Sequence, residues 1–186
     1  MTPSMEEHSH SYSFIVPDIG WWILESGNDF SGEVFNMNGV WESSPSKPSY
    51  NGSNNLAKDF CPLQLNATHT AIIGGRLSDN SIADVMFYDW TTSVWTPGPP
   101  LQTPRRYHDC TSFGNSRMMV AGGTSLFGEE VSSVEIYDSA INSWYYSEDL
   151  PEKPNYDNHD LITWAGNPVW LNSYDIWKFE EGSWSR

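Results

Sequence analysis

The chain has 186 residues, which suffices for one ordinary domain and by length alone would allow two. Its apolar content of 38% and aromatic content of 15% can build a core, which argues against global disorder. The formal net charge is -15, with 24 acidic residues against 9 basic ones, so we expect neither nucleic acid nor an anionic membrane surface as a partner. A basic protein, a cation or a neutral ligand fits this charge better.

In chain order, four segments carry short strand signals, and the two central segments are nearly repeats of each other. The repeated residues are Gly74-Gly75, Tyr88 and Trp95 in one copy and Gly122-Gly123, Tyr137 and Trp144 in the next. The double glycines lie 48 residues apart, and the tyrosines and the tryptophans each lie 49 apart. A repeat of this length with four short strand signals is typical of a β-propeller blade.

The pattern is weaker at the two ends of the chain. Near the C-terminus, Trp177 takes the place of the tyrosine and Trp184 that of the tryptophan. Near the N-terminus, Phe35 and Trp41 are the corresponding pair, without a double glycine. We therefore predict a single all-β segment over residues 1–186, with blades at about 8–41, 42–95, 96–144 and 145–186. In these blades the repeated glycines permit close backbone approach and the aromatic residues fill the core.

The tandem glycine, tyrosine and tryptophan pattern resembles the kelch repeat family of β-propellers. The resemblance implies four-stranded antiparallel blades around an axis, most often six or seven of them. Four units fall short of that number, which leaves three explanations open. The chain is a partial copy of a longer propeller, an open array completed by self-association through its unpaired blades, or an unusually small ring.

In this strand order, the loops between second and third strands and the connections between blades open on one face. Rigid blades that present variable loops form a natural recognition surface, so we predict a protein partner there. The candidate binding side chains are Arg76, Asp79, Arg105, Arg106, Phe127, Glu129, Glu130, Tyr156 and Asp157. The adjacent arginines could bind a carboxylate or an acidic peptide, or they could pair with Asp109 or Glu130 nearby.

The alternative function is a secreted propeller enzyme or a carbohydrate-binding module, because copper-radical sugar oxidases use a related propeller. Such oxidases need a cross-linked tyrosine and cysteine with further histidine and tyrosine ligands, and nothing here singles out such a set. His108 and His159 occupy corresponding places in successive blades, but Asp59 or Phe60 interrupts a histidine ring. We therefore expect structural histidines and predict no catalytic residue, metal or cofactor.

The sequence has three further features that bear on chemistry and location. Asp157 and Asp160 flank His159 as a catalytic or metal trio would, although such polar runs more often form a turn. For Cys61 and Cys110 we expect buried thiols, with a disulfide open only if their Cα atoms approach within about 7 Å. No signal peptide or membrane span is recognised, and the sequons at Asn51 and Asn66 leave an extracellular location open.

Overall fold

A computed structural model describes residues 11–25, 32–45, 48, 57–154, 159–172 and 174–186. Within this part of the chain, short apolar and aromatic runs separated by glycine and polar turns form β-strands. The first sheet contains β1 (Ser11–Val16), β2 (Gly20–Glu25), β3 (Gly32–Asn36) and β4 (Trp41–Ser43). The second contains β5 (Cys61–Gln64), β6 (His69–Ile73), β9 (Val85–Asp89) and β10 (Val94–Pro97), with the hairpin β7 (Arg76–Leu77) and β8 (Asn80–Ser81) in one loop.

The other two sheets repeat the same order. The third contains β11 (Asp109–Phe113), β12 (Arg117–Ala121), β13 (Val134–Asp138) and β14 (Ser143–Tyr146). The fourth contains β15 (His159–Trp164), β16 (Asn167–Asn172), β17 (Ile176–Glu180) and β18 (Ser183–Ser185). All neighbouring strands pair antiparallel. The all-β prediction with four-stranded blades is therefore confirmed. The last strands of the first three blades reach Ser43, Pro97 and Tyr146, two residues past each predicted boundary.

The core lies between successive blades. The first strands β1, β5, β11 and β15 contact one another in chain order, so they form the inner side of the array. Three apolar clusters fill the gaps between blades, centred on Trp22, Met118 and Trp170. Successive side chains of a strand point to opposite faces of its sheet, so a blade with apolar residues at successive positions has two apolar faces. The second and third blades each have an apolar cluster on both faces for this reason.

The double glycines allow a close approach of chain segments at the ends of β6 and β12. A Cβ on Gly75 would lie 2.5 Å from the carbonyl oxygen of Lys58, and one on Gly123 would lie 2.5 Å from that of Arg106. Both glycines also have positive φ, at 104° and 87°. Any other residue would push the incoming connection away from the blade.

The aromatic pairs lie side by side on the two outer strands of each blade. Tyr137 and Trp144 are cross-strand partners with ring centroids 5.4 Å apart, and Tyr88 and Trp95 lie 4.9 Å apart. In the fourth blade the partner of Trp184 is Phe179, at 5.1 Å.

The predicted place of Trp177 is therefore wrong. The outer hairpin of the fourth blade turns through Glu181 and Gly182, both at positive φ, as a tight two-residue turn requires. The corresponding connection in the third blade, 139–142, has two more residues, which shifts the register. Trp177 instead pairs with Trp170 and packs against the cluster between the third and fourth blades.

The two cysteines form a disulfide between β5 and β11, with their Cα atoms 6.0 Å apart. The expectation of buried thiols is thus wrong, and the disulfide alternative holds. The bond crosses the gap between the second and third blades at their inner strands, in addition to the apolar cluster there.

Large apolar side chains are exposed on the outer faces of the first and last blades. Ile15 and Trp21 lie on β1 and β2, opposite the buried Val16 and Trp22, while Trp164 and Ile176 are exposed on the fourth blade. Self-association through these faces stays a prediction. Among the described residues, no helix is long and apolar enough to cross a membrane.

Candidate functional site

One end of the central blades collects the connections that we predicted to bind a partner. We call it the loop face and define it by residues 74–84, 98–108 and 122–133, which join second to third strands and blade to blade. The opposite end carries the tight turns between first and second and between third and fourth strands.

Hydrogen bonds fasten the loops of the second and third blades to each other. The Ser81 hydroxyl lies 3.1 Å from the carbonyl oxygens of both Thr124 and Ser125, in the neighbouring blade. The backbones of Arg106 and Thr124 exchange two hydrogen bonds, of 3.1 and 2.8 Å. Loops tied in this way present their side chains from a fixed frame, which lowers the entropy cost of binding.

Three of the predicted binding residues meet in one network on this face. Arg76 Nε donates to the Asp59 carboxylate at 2.8 Å, and its guanidinium lies 3.8 Å from the carboxylate of Asp79. Arg106 donates to the carbonyl oxygen of Asp79 at 3.2 Å and lies over the Tyr107 ring. The expected pairing of Arg106 with Asp109 or Glu130 is thus replaced by contacts to the second blade.

Tyr107 belongs to this network, although its sequence position did not mark it. Burial and then the negative charge of Asp59 raise the pKa of the Tyr107 hydroxyl, so it stays protonated. About half of the side chain is still exposed, at 48%. An aromatic ring beside two arginines has the composition of a binding hot spot.

Phe127 stands at the tip of the loop that follows β12. The Ser125 hydroxyl accepts hydrogen bonds from the backbone N–H groups of Phe127 and Glu129, each at 3.3 Å, and the Ser125 N–H donates to the Glu129 carbonyl at 2.8 Å. This closed turn leaves the Phe127 side chain 84% exposed. Leu126 and the carboxylates of Glu129 and Glu130 are exposed around it.

Arg105 was predicted to bind a partner, but its side chain is completely buried and unavailable to one. Its guanidinium donates to the Glu135 carboxylate at 2.8 Å and to the carbonyl oxygens of Ser133 and Gly122 at 2.8 and 3.1 Å. Burial lowers the pKa of Arg105, while the charge of Glu135 opposes that shift. The predicted partners Asp109 and Glu130 are replaced by this internal carboxylate.

The Glu135 carboxylate also accepts hydrogen bonds from the backbone N–H groups of Gln102 and Thr103, at 2.7 and 3.0 Å. The ion pair of Arg105 and Glu135 therefore fixes the connection from the second blade to the third, beneath the exposed side chains of the loop face. Its role is to hold the exposed loops in place.

The two histidines differ in their surroundings. His108 is buried, and burial followed by the charge of Arg105 lowers its pKa to about 3, so the ring is neutral. His159 Nε2 lies 3.3 Å from the Asp109 carboxylate, whose pKa is raised to about 6 by burial. Within the described ranges, no group of three or more His, Cys, Asp or Glu side chains could hold a metal ion.

Tyr156 and Asp157 lie outside the described residues, so their predicted place on the loop face stays a prediction. The trio of Asp157, His159 and Asp160 is likewise only partly within the described residues. Of these, His159 is directed to Asp109 on the neighbouring inner strand.

Sequence reasoning missed a cleft at the opposite end of the array, between the third and fourth blades. Its volume is about 390 Å³, and Phe113, Arg117, Phe179 and Glu181 contribute to its walls. The Arg117 guanidinium lies over the Phe113 ring at 4.4 Å, which leaves a mixed aromatic and charged lining. These residues come from strand ends and turns of two blades, so only the pairing of the blades reveals the cleft.

Comparison with known proteins agrees with this architecture. No family model matches the chain. It is 25% identical over 118 residues to an F-box/kelch-repeat protein of Arabidopsis thaliana, covering 61% of this chain and 39% of that protein. It is 36% identical over 77 residues to the F-box/kelch-repeat protein OR23 of Arabidopsis thaliana, covering 37% of this chain and 17% of that protein.

A further relative is the galactose oxidase of Gibberella zeae, 22% identical over 121 residues, which are 64% of this chain and 16% of that enzyme. Each match thus covers less than half of the relative's own length. The repeated double glycines, the cross-strand aromatic pairs and the four antiparallel blades agree with these similarities. Together they support the assignment of this chain to the kelch repeat family of β-propellers.

Proposed function

We propose that the chain is a non-catalytic protein-binding scaffold whose partner binds the loop face of the second and third blades. The observation that carries the proposal is the exposed Phe127, held at the tip of a hydrogen-bonded turn in a set of loops tied across two blades. The similarity to kelch-repeat proteins supports a scaffold that works by protein interaction.

The partner surface combines an apolar tip with charged surroundings. Phe127, with Leu126 beside it, can be buried in a pocket of the partner, because a few well-packed and fully desolvated anchors carry most of the binding energy of an interface. Around them, Arg106 and the carboxylates of Glu129 and Glu130 provide a polar rim that sets orientation and specificity.

The first prediction compares Phe127→Ala with Ile141→Ala. Ile141 is 65% exposed in the turn between β13 and β14, at the opposite end of the same blade. Partners are identified by proximity labelling in the source cells, and the affinity of each purified partner is then measured by calorimetry. We expect Phe127→Ala to weaken binding by about tenfold to a hundredfold, or 1.4–2.8 kcal/mol, and Ile141→Ala to leave it unchanged.

Equal binding of both variants would place the interface elsewhere. Thermal unfolding of the two variants is the control for folding, since both side chains are exposed and their removal leaves the core intact. A loss of binding by Ile141→Ala alone would move the interface to the opposite end.

The second candidate, an enzyme or carbohydrate-binding module, has two observations in its favour. One is the similarity to a galactose oxidase, and the other is the aromatic and charged cleft between the third and fourth blades. Against a sugar-oxidase mechanism stands the disulfide, because it uses both cysteines of this chain and leaves neither for a cross-link to tyrosine. Calorimetric titration with galactose and its oligomers distinguishes this candidate from the protein-binding scaffold.

A further inference from the structure

We propose that this chain folds in an oxidising, secretory-type compartment and carries an N-linked oligosaccharide on Asn66. The proposal joins two independent features of the second blade, the disulfide on its first strand and the turn that follows that strand. It does not depend on the identity of the partner.

The first feature is the Cys61–Cys110 disulfide. Its Cα separation of 6.0 Å is typical of a disulfide, so no movement of the blades is needed to form it. Structural disulfides persist in oxidising compartments and are rare where glutathione and thioredoxin keep thiols reduced. Formation of the bond removes two protons and two electrons from the thiols, and a disulfide-bearing oxidant accepts them.

The second feature is the turn between β5 and β6, which contains Asn66-Ala67-Thr68. All three residues are exposed at the tip of the hairpin. Leu65 and His69 close the turn with a backbone hydrogen bond of 2.9 Å. An Asn-X-Thr triplet in an exposed turn is the acceptor that N-glycosylation requires.

The geometry inside the turn suits the acceptor. Asn66 Oδ1 accepts hydrogen bonds from the backbone N–H groups of Thr68 and His69, at 3.0 and 2.9 Å, and from the Thr68 hydroxyl at 3.2 Å. These bonds engage the oxygen of the amide, and the residue as a whole is exposed to solvent. The nitrogen is the atom that receives the sugar.

The corresponding turn of the third blade is a natural control. It carries Gly114 and Asn115 between β11 and β12, but Arg117 stands where a sequon needs serine or threonine. Asn115 is exposed as Asn66 is, so the two hairpins differ in their acceptor sequence. We therefore expect modification at Asn66 and none at Asn115.

The reaction transfers an oligosaccharide from a lipid pyrophosphate donor. The amide nitrogen of Asn66 loses a proton to a base of the transferase and bonds to the anomeric carbon of the first sugar. The bond from that carbon to the pyrophosphate oxygen breaks, and the lipid pyrophosphate leaves.

The position of the glycan is compatible with partner binding. The turn between first and second strands lies at the end of the blade opposite the loop face. An oligosaccharide on Asn66 therefore leaves Phe127 and its surroundings uncovered.

The experiment maps the protein from its native source by mass spectrometry, after alkylation and digestion without reduction. We expect a peptide pair linked through Cys61 and Cys110 and a glycopeptide containing Asn66, which peptide N-glycosidase converts to an aspartate-containing peptide. Free, alkylated cysteines or an unmodified Asn66 peptide would each overturn the proposal.

Matched variants then test the acceptor itself in secreted expression from eukaryotic cells. Asn51, which carries the other sequon and lies outside the described residues, is replaced by Gln in every sample. We expect one glycosidase-sensitive shift in the parent and in Thr68→Ser, and none in Asn66→Gln or Thr68→Val. A shift that persists in Asn66→Gln, or that is absent from the folded and disulfide-bonded parent, would refute Asn66 as the acceptor.

Discussion

His108 is buried and neutral at the end of a loop-face connection, in the place that Phe60 occupies in the preceding blade. The equivalence follows from the double glycines, since Gly75 faces the Cα and Cβ of Phe60 and Gly123 faces those of His108. Neither ring nitrogen of His108 makes a hydrogen bond of good geometry among the described residues, and a weak interaction with the backbone of Ile73 offsets only part of the effect of burial on its pKa. In the folded chain the ring therefore packs as a flat, uncharged group. On unfolding it becomes exposed to water, regains its ordinary pKa and is more easily protonated.

Because Phe60 fills the corresponding place in the second blade, the variant His108→Phe tests the role of the buried ring. The pKa of His108 is about 3 in the folded chain and about 6.5 when unfolded, so between these values the unfolded state binds the extra proton. Stability therefore rises with pH through this window, with a slope approaching about 1.4 kcal/mol per pH unit from this residue. We expect His108→Phe to remove that slope in urea unfolding measured from pH 4 to 7.

Asp109 provides the opposite control, because burial raises its pKa to about 6 from 3.8. Between these values the folded state binds the extra proton, so Asp109 contributes stability that is lost as pH rises. Asp109→Asn should therefore make the loss of stability in acid steeper, while His108→Phe makes it shallower. Parallel pH profiles for His108→Phe and the parent would contradict the assignment.

The buried pair of Arg105 and Glu135 shows what the sequence could and could not predict at single residues. Arg105 lies in a polar connection next to a second arginine, which is half-buried, so the composition of this segment indicated a surface position. The overlooked signal was an acidic residue at an inward-facing place in the third strands, since Glu135 and Glu33 are both buried there. A buried carboxylate needs a cation, and only the folding of the connection over β13 shows that Arg105 supplies it.

At the level of strands, the spacing of the repeat could have predicted the disulfide. The double glycines repeat after 48 residues but the cysteines after 49. In the register of the blades, Cys61 aligns with Asp109 and Cys110 therefore falls one place further along its strand. Because successive side chains point to opposite faces, this offset turns the two thiols toward each other across the gap. If the cysteines were also 48 residues apart, both thiols would point to the same side of their blades and could not meet.

The disulfide predicts a measurable loss of stability in Cys61→Ala/Cys110→Ala. The bond spans 49 residues, and closing a loop of that length stabilises the folded state by about 4 kcal/mol in the chain-entropy relation. We expect the double variant, and the parent in reductant, to lose a similar amount in urea unfolding. Reductant should have no effect on the double variant. An unchanged midpoint in the parent would show that the bond does not constrain the unfolded chain.

Across the whole chain, the blade architecture was predictable because the same core residues recur at fixed spacing. The aromatic pairs Tyr88–Trp95 and Tyr137–Trp144 lie where the repeat placed them. The fourth blade departed from the pattern because a hairpin shorter by two residues changed the partner of Trp184. The loops were harder to predict, since their contacts join different blades: Ser81 reaches 43 and 44 residues along the chain.

In the described part of the chain, the apolar clusters and the inner strands join each blade to its neighbours in chain order, so stability should be distributed in the same way. Trp170 is buried at the interface of the third and fourth blades, where Leu161 and Phe179 surround it. Trp170→Ala leaves a large cavity there and is expected to cost about 3–5 kcal/mol. In a linear array, the loss weakens one interface and leaves the distant one intact.

Hydrogen exchange detects this difference directly. We expect Trp170→Ala to accelerate amide exchange in β11–β18 and to affect β1–β4 least, because two further interfaces separate the first blade from the cavity. Trp170→Phe is the matched control, since it keeps an aromatic ring and removes an indole N–H that has no partner among the described residues. Equal acceleration in all four blades would mean that the array unfolds as one cooperative unit, with coupling through the inner strands and their disulfide outweighing the nearest-neighbour interfaces.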